Sequence, residues 1–449
     1  MTAFLALDQG TSWSKAGVFD GAGRLLGRGR VPVRTRFGPG GRADQDPAAI
    51  LASARRAIRI ALEEAGRPSL AAAAVTSQRS TFVLWDRATG RPLGPAPTWQ
   101  STEAAAVCAR LSRHAARVRR ITGLPLSPHY SASKLARLLE AHPAWRRGGA
   151  RGQILFGHVA TFLMWHLSDG ASHVVDPTQA ARSLLFDLGA SAWSPWLLDR
   201  FGVPAAMLPS VSPSLGPLGE MRLNGRAVPV TAMLGDQQAA LVGAMGLSPS
   251  GAAGTAVVNY GTGAFILIPT GGRAVRRAGL LTSFAWTDAR SKRHLLEGTV
   301  NAGGAVVDWM RDGLGLTIDG PSIDRVCRRG APGAVMLASF WGPGSAGPEA
   351  RGAGLPSVLM TPGGASPWAP ADVARPAVES IAHAVAGCVS AAGGRVKRVV
   401  ATGPLARSRF LMEMQSALLG VPVEVRSDED ATLSGIACAA SGGAMPVRA

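Results

Sequence analysis

Two apolar runs open the chain, at residues 4–8 and 15–20, on either side of a polar Gly-Thr-Ser turn. Short apolar runs bounded by glycine and small polar residues are typical of β-strands, and the segment GRLLGRGRVPVR continues the pattern. The next segment, DPAAILASARRAIRIALEEAG, has apolar residues at helical spacing, with Asp46 at the N-cap position and Pro47 at the first helical position. Because both residue types favour helix starts, we predict strands followed by a helix.

The same order of elements restarts near residue 245. Before that point, AAAAVTSQRSTFVLWD returns to strand character and breaks at the polar residues TSQRS. Residues 254–272 again show an apolar run, a Gly-Thr turn and an apolar run, and VKRVVATGPLARSRFLMEMQSALLGVPVEV predicts a strand, a glycine turn, a helix and a strand. Strands followed by helices indicate an α/β fold. The recurrence predicts two similar domains, residues 1–246 and 247–449, that face a shared cleft.

The formal charge of +18 changes this picture little. Only four of the 47 basic residues are lysines, and the arginines are dispersed without interleaved aromatic residues, so we expect no nucleic-acid partner. No apolar segment approaches the roughly 20 residues of a membrane span, so we expect no membrane partner either. The cysteines are far apart, which favours reduced thiols in a cytoplasmic protein, at Cys108, Cys327, Cys388 and Cys438.

Glycine-containing turns are the first candidates for chemistry. Glycine lets backbone N–H groups approach phosphate oxygens, and threonine adds a hydroxyl donor. One such turn is equally well explained by a tight hairpin. Two Gly-Thr turns and a third glycine turn in ATGPLARS together favour a nucleotide phosphate site. Because neither a Walker A pattern nor a GxGxxG after a strand occurs, the common P-loop and dinucleotide sites are excluded.

Asp236 is the second candidate, because it follows the predicted strand VPVTAML and a glycine and precedes a small-residue helix. A carboxylate at a strand end could accept a proton from a substrate hydroxyl. It could instead cap the helix that follows, and the pattern taken alone favours this second role. Trp99 could shield a sugar or simply fill a core. The eight histidines form no HxxxH or HExxH pattern, so we expect no protein-bound transition metal.

Six ordered segments, between about residue 4 and about residue 443, identify a family: ALDQGTSWSKAGVFD, TSQRSTFVLWDRATGRPL, GDQQAALVGAMG, VNYGTGAFILIPTG, LLEGTVNAGGAVVDWMRD and SRFLMEMQSALLGVPVE. They resemble the FGGY carbohydrate kinases, and among these the glycerol kinases most. The resemblance implies an α/β fold with two actin-like (ribonuclease-H-like) domains and an interdomain cleft. It implies that ATP and a small sugar or polyol bind in that cleft, and it leaves a homo-oligomer open.

The resemblance also implies roles for single residues. It places Asp236 as the catalytic base and a substrate ligand, Gln237 beside it, and Asp8 near Mg²⁺. Lys15 stands where an arginine is usual, and Asp308 where a glutamine is expected. Positions that match the phosphate loops and the nucleotide site are Thr11, Ser12, Lys15, Thr262, Gly304, Asp308, Gly403 and Ser408. In this mechanism the base takes the proton of a hydroxyl that attacks the γ-phosphate of ATP.

The sequence departs from the family at the implied acceptor site. Glycerol kinases hold glycerol with an Arg-Glu pair, whereas this chain has Arg79 followed by Ser80. His129, with Tyr130 beside it, stands where a tyrosine covers glycerol. Because an unpaired substrate hydroxyl costs about 1–3 kcal/mol, these changes make a longer ketose or polyol at least as good a candidate as glycerol.

A third departure concerns the nucleotide. In ATGPLARS, Pro404 replaces a glycine that would donate its backbone N–H, and Ser408 replaces an asparagine. The sequence therefore predicts an ATP- and Mg²⁺-dependent carbohydrate or polyol kinase. One alternative is glycerol kinase activity proper. The other is a sugar- or nucleotide-sensing member of the family that has lost turnover, although Asp8, Thr11, Asp236 and Thr262 are all retained.

Overall fold

The chain divides into two units. A computed structural model describes residues 2–247, 254–261, 263–300, 303–313, 320–330, 335–337, 358–360, 370–426 and 430–446. The first unit comprises Met1–Ser248, Ser283–Arg293 and Asp430–Arg448, and the second comprises Pro249–Thr282, His294–Glu429 and Ala449. A C-terminal segment thus belongs to the first unit. The division into consecutive domains at 246/247 stays a prediction.

Strands within the described ranges are numbered in chain order: β1 Ala3–Gln9, β2 Trp13–Asp20, β3 Leu25–Pro32, β4 Arg36–Gly38, β5 Arg42–Gln45, β6 Leu70–Ser77, β7 Phe82–Asp86, β8 Ala96–Pro97, β9 Ile154–His158, β10 Val174–Val175, β11 Phe186–Asp187, β12 Ala192–Trp193, β13 Ser210–Val211, β14 Glu220–Leu223, β15 Arg226–Gly235, β16 Thr255–Tyr260, β17 Ala264–Gly271, β18 Leu281–Thr287, β19 Lys292–Val300, β20 Val335–Leu337, β21 Val358–Met360, β22 Arg398–Thr402 and β23 Val423–Val425.

The helices, over the same part of the chain, are α1 Pro47–Glu64, α2 Ala105–Arg110, α3 Ala115–Thr122, α4 Ser131–Ala141, α5 Pro143–Ala150, α6 Val159–Leu167, α7 Pro177–Ala180, α8 Pro195–Phe201, α9 Asp236–Met245, α10 Gly304–Asp308, α11 Gly320–Arg329, α12 Pro370–Ala391, α13 Arg409–Leu419 and α14 Ala431–Ala440. Not one of these helices is long and apolar enough to cross a bilayer.

A six-stranded sheet forms the centre of the first unit, in the order β14-β15-β6-β1-β2-β3. Strands β1, β2 and β3 are antiparallel neighbours, whereas β6 runs parallel to β1 and β15 parallel to β6. The apolar runs that predicted strands are buried in this sheet, for example Leu5, Leu7 and Val75. Their removal from water stabilises the unit, at roughly 25 cal/mol per Å² of apolar surface.

Helix α1 confirms the predicted helix and its start. Asp46 is the N-cap residue, its side chain accepts a hydrogen bond from the N–H of Ala48, and Pro47 is the first helical residue. The apolar residues at helical spacing, Ile50 and Ala54 among them, are buried in the core of the first unit. The helix thus covers one face of the sheet as its sequence period requires.

The second unit repeats the topology of the first. A second six-stranded sheet has the order β18-β19-β17-β16-β22-β23. Strands β19, β17 and β16 are antiparallel neighbours, β22 runs parallel to β16, and β23 runs parallel to β22. These five strands have the order and directions of β3, β2, β1, β6 and β15. The predicted recurrence is confirmed at the level of topology, and with it the α/β, actin-like fold.

We expect Asp46→Ala to lower the stability of the first unit by about 1 kcal/mol, because the cap hydrogen bond at the start of α1 is lost. Urea unfolding followed by circular dichroism measures this change. Asp46→Asn, which keeps an acceptor oxygen, should lose much less. Equal losses in both variants would contradict the cap as the source of the effect.

Candidate active site

Three parallel strands bring the predicted site residues of the first unit to one edge of its sheet. The register aligns Asp8 on β1 with Thr76 on β6, and Thr76 with Leu234 on β15. The segments that follow these strands, residues 10–12, 78–80 and 236–237, therefore leave the sheet side by side. Polar groups at the carboxyl ends of parallel strands are the usual binding position in α/β proteins.

Asp236 is the first residue of α9, and Gly235 occupies the N-cap position. Its Oδ1 accepts the backbone N–H of Gln237 at 2.8 Å and lies 3.2 Å from Nε of Arg79. The Arg79 side chain is only 9% exposed, against 28% for Asp236. The carboxylate is thus held by a buried guanidinium while part of it still faces solvent, as a group that receives a substrate proton must.

Asp8 is buried beside this carboxylate. Burial raises its pKa from 3.8 to about 7; Lys15 opposes the shift, and the charges of Asp236 and Asp430 add to it. Its Oδ1 has no hydrogen-bond partner within the described ranges, and the same holds for Oε1 of Gln237. A buried acceptor without a donor is costly, so these two oxygens fit a ligand that supplies hydroxyl groups or a cation.

The donor set suits Mg²⁺ better than a transition metal. Magnesium is commonly held by one or two carboxylates together with water and substrate phosphates, which matches a single buried carboxylate such as Asp8. In the described part of the chain, no group of three or more His, Cys, Asp or Glu side chains is arranged to hold a metal. Asp8 therefore fits a role at a metal that arrives with phosphate.

The first Gly-Thr turn connects β1 to β2. The N–H of Gly10 donates to the carbonyl of Trp13 at 2.9 Å, which closes the turn. The hydroxyl of Thr11 donates to Oε1 of Gln78 at 3.2 Å and accepts the indole N–H of Trp99 at 2.9 Å. Ser12 is exposed at the tip. The network holds the turn in shape, which a preformed phosphate site needs.

Lys15 lies on β2 directly opposite Asp8 in the antiparallel register. Its Nζ is 2.5 Å from Oδ1 of Asp430, the residue before α14, and Arg28 forms an ion pair with Oδ2 of the same carboxylate. Lys15, on the strand that follows the first Gly-Thr turn, is therefore held in place by an acidic residue of the C-terminal segment.

Ser80 and His129 are the predicted acceptor residues outside the group formed by Arg79, Asp236 and Gln237. Ser80 has a φ of 65°, is 3% exposed, and donates its hydroxyl to the carbonyl of Arg182 at 2.9 Å. His129 is exposed, with its ring centroid 5.1 Å from that of Trp99, while Tyr130 beside it is buried. The serine hydroxyl thus donates to the backbone, while the exposed imidazole of His129 packs against the partly buried indole of Trp99.

In the second unit, the structure brings two of the predicted nucleotide residues to the end of β16. The N–H of Gly304 donates to the carbonyl of Gly261 at 2.7 Å. A Cβ at Gly403, which has a φ of 91°, would lie 2.6 Å from the carbonyl oxygen of Tyr260. Only glycine fits there. Thr262, the second threonine of the Gly-Thr turns, lies outside the described residues.

The other two predicted nucleotide residues have local partners. Asp308 is exposed at the end of α10 and pairs with Arg311 at 2.9 Å. Ser408 is buried, caps α13 through the N–H of Leu411, and donates to Asp324 at 2.5 Å. Pro404 opens a 3₁₀ turn, where a missing N–H costs little. The roles of these residues toward a nucleotide stay predictions.

Several residues at the site were not predicted to bind substrate or nucleotide. Gln45 and Gln78 hold the first turn, since Gln45 Nε2 donates to the carbonyl of Thr11 at 2.6 Å and Gln78 Nε2 donates to Gln45 Oε1 at 2.8 Å. Asp430 reaches Lys15 from more than 400 residues away along the chain. Of these residues, only Gln78 was indicated by the sequence, since it lies in the polar segment TSQRS.

Family models match both units. The N-terminal domain of the FGGY family of carbohydrate kinases matches residues 3–243, and its C-terminal domain matches residues 256–444. The chain belongs to the FGGY family of carbohydrate kinases. It is therefore an ATP-dependent phosphotransferase with an alcohol group as acceptor, and the family and enzyme class predicted from the sequence are confirmed.

Among the relatives of this FGGY kinase, the glycerol kinase of Alkalilimnicola ehrlichii is 38% identical over 98% of this chain and 90% of that protein. The glycerol kinase of Thermus brockianus is 38% identical over 94% of this chain and 86% of that protein. In fold, the chain is similar to the Plasmodium falciparum glycerol kinase with ADP, with a TM-score of 0.89 and 22% identity over 99% of this chain and 90% of that one. It is also similar to a xylulose kinase from Rhodospirillum rubrum, with a TM-score of 0.85 and 18% identity over 100% of this chain and 91% of that one.

The raised pKa of Asp8 predicts a pH dependence for the FGGY kinase without nucleotide or metal. Because the folded state favours the protonated carboxyl, its contribution to stability is full below about pH 4 and is lost as the pH rises through about 7. Relative to Asp8→Asn, the wild type should lose up to about 1.4 kcal/mol per pH unit across this window.

Urea unfolding of both proteins from pH 4 to pH 8 measures the difference. The neutral asparagine cannot titrate, so any constant offset between the two proteins cancels in the slope. Parallel pH profiles would show that Asp8 does not titrate in this range.

Proposed function

We propose that this protein transfers the γ-phosphoryl group of ATP to a hydroxyl of a small sugar or polyol, with Asp236 as the general base. The observation that carries the proposal is the paired placement of Asp236 and Asp8 at the carboxyl ends of parallel strands. Asp236 is anchored by Arg79 and reaches solvent, whereas Asp8 is buried and lacks a donor for one oxygen. The two carboxylates thus have different environments and suit different roles.

The transfer forms one bond and breaks one. The acceptor oxygen forms a bond to the γ-phosphorus while the bond from that phosphorus to the β–γ bridging oxygen breaks, and ADP leaves. The acceptor proton moves to Asp236. Because the transition state needs positioning and charge stabilisation more than covalent help, a carboxylate fixed by Arg79 and by the N–H of Gln237 is well suited to the step.

The phosphates of ATP are assigned to the first turn and to Lys15. Backbone N–H groups of the turn and the exposed hydroxyl of Ser12 offer donors, while the Thr11 hydroxyl, which donates to Gln78, holds the turn in shape. Lys15 supplies a positive charge as a point donor. Asp8 would hold Mg²⁺, which when bound neutralises phosphate charge. Gly304 and Gly403 of the second unit, which lie at the end of β16, are assigned to the nucleotide together with Thr262, Asp308 and Ser408.

The acceptor is assigned to the side chains of Arg79, Gln237 and His129. A glutamate at position 80 would add an anionic acceptor for two hydroxyls, but here Ser80 donates to a backbone carbonyl. A longer polyol or ketose can compensate with further hydroxyls that reach Gln237, whose Oε1 has no donor among the described residues. An acceptor longer than glycerol therefore fits this site better.

Glycerol kinase activity is the second candidate. It is favoured by curated relatives named glycerol kinase that are 38% identical over nearly the whole chain. Both candidates use the same base and the same phosphate site, so they differ only in the acceptor. A sensing protein without turnover is the third alternative, and the anchored Asp236 and the buried Asp8 argue against it.

We expect Asp236→Asn to lower kcat by about 10²- to 10⁴-fold, because the amide cannot take the acceptor proton. Coupled assay of ADP release, with ATP, Mg²⁺ and a panel of polyols and ketoses, measures the loss. Glu140→Gln, which removes an exposed carboxylate paired with Arg110 at 2.5 Å, should retain wild-type turnover. Substrate-dependent ADP release that survives in Asp236→Asn would refute the assigned base.

A second prediction separates the acceptor candidates. Because a hydrogen bond to a charged group contributes about 1.5–3 kcal/mol, Ser80→Glu should raise kcat/KM for glycerol by roughly tenfold or more relative to longer acceptors. Ser80→Ala, which only removes the bond to the Arg182 carbonyl, should leave the ratio between acceptors unchanged. If Ser80→Glu does not raise the ratio of glycerol use to use of longer acceptors in a folded protein, the role assigned to position 80 in choosing the acceptor is refuted.

A further inference from the structure

Asp430 occupies an unusual place for a residue at a helix start. It is the N-cap residue of α14, yet its side chain makes no cap hydrogen bond to that helix. Aspartate at this position normally accepts a backbone N–H, as Asp46 does at α1. Here the two oxygens instead form ion pairs with Lys15, at 2.5 Å, and with Arg28. The carboxylate therefore binds cationic side chains of β2 and β3 and does not cap its own helix.

The backbone next to Asp430 is held by close packing. A Cβ at Gly243 of α9 would lie 1.9 Å from the carbonyl oxygen of Ala431, and a Cβ at Gly435 would lie 1.9 Å from that of Ala239. The two helices thus touch backbone to backbone at two points. Since Ala431 is fixed against α9, the neighbouring carboxylate is placed by the fold and is only 12% exposed.

The ion pairs with Asp430 leave Lys15 able to bind an anion. Arg28 and Lys15 carry two positive charges and Asp430 one negative charge, so the cluster has a net charge of +1. Lys15 lies opposite Asp8, and an ammonium on four methylene groups is flexible unless something holds it. Among the described residues, one of the three donors of Lys15 is bonded to Asp430, which leaves two for an anion.

We propose that Asp430 is a positioning residue that holds the ammonium of Lys15 ready for the phosphates of ATP, while Arg28 offsets the charge of Asp430. The inference rests on the proposed function, since it takes Lys15 as a phosphate donor. It extends that function by making the C-terminal segment part of the nucleotide site of the first unit. A merely structural ion pair would stabilise the fold without affecting nucleotide affinity.

The first experiment tests the contact itself and needs no activity. The chain has only four lysines, Lys15, Lys134, Lys292 and Lys397, so reductive ¹³C-methylation, which keeps the charge, gives few lysine signals. Lys15→Arg identifies the signal of Lys15. Asp430→Asn should shift that signal and leave the other three in place, whereas Asp46→Asn, a change at another helix cap of the same unit, should shift none. An unmoved Lys15 signal in folded Asp430→Asn overturns the proposal.

The second experiment tests the consequence for the nucleotide. Asp430→Asn should weaken Mg-ADP binding in calorimetry and lower kcat/KM for ATP by about 10- to 100-fold, as expected when a transition-state contact is misplaced, while KM for the acceptor stays unchanged. Lys15→Met combined with Asp430→Asn should be no worse than Lys15→Met alone, because the residues act through one contact. Additive losses, unchanged affinity or tighter binding in Asp430→Asn each overturn the proposal.

The two experiments separate failure of this inference from failure of the proposed function. If wild-type protein shows no phosphoryl transfer to any acceptor, the kinase assignment of the site fails, and Mg-ADP affinity alone then decides the role of Asp430. If transfer is normal and Asp430→Asn binds Mg-ADP as the wild type does, the inference fails while the proposed function stands.

Discussion

The structure depends on one electrostatic constraint, which is the burial of the Asp8 carboxyl at the end of the central strand of the first sheet. A carboxylate removed from water without donors is destabilising, and the raised pKa of Asp8 expresses that cost. The fold tolerates the cost because the neighbouring segments supply cations: Arg79 pairs with Asp236, and Lys15 lies opposite Asp8. A ligand that brings a divalent cation and phosphates satisfies what the protein alone leaves unpaired.

Strand direction decides where these charges meet. Parallel strands place the residues that follow them at one edge, so three segments distant in sequence become neighbours without any specific attraction between them. The second unit repeats this arrangement, with the Gly403 turn against the end of β16. The repeated topology explains why two similar glycine turns occur in one chain, since each unit forms the same kind of edge.

Local sequence patterns predicted most of the fold. The start of α1 was predictable because Asp46 and Pro47 act on the first turn alone, and the strands were predictable because their apolar runs are buried. The order strand, glycine, helix in the sequence predicted that Asp236 lies at the carboxyl end of a strand. The same pattern favoured Asp236 as the N-cap residue of the helix, which was wrong, since Gly235 is the N-cap residue. A guanidinium from a distant segment, which no local pattern reveals, holds the carboxylate instead.

Long-range partners are what the sequence could not predict. Asp430 lies at a helix start, where aspartate usually caps, and nothing nearby marks its ion pair with Lys15. The commitment of the Ser80 hydroxyl to the carbonyl of Arg182 likewise depends on how two loops pack. The motif resemblance predicted roles for Asp8 and Asp236. The contacts that orient their side chains could not be predicted, because they depend on how distant segments pack.

Phosphoryl transfer from ATP to an alcohol is tested most directly by ³¹P NMR of the wild-type protein with ATP, Mg²⁺ and a panel of small polyols and ketoses. The account predicts a new phosphomonoester signal with one acceptor or a few related acceptors, formed in equal amount with ADP. ADP formed together with inorganic phosphate alone, whatever acceptor is present, would contradict transfer to an alcohol at this site.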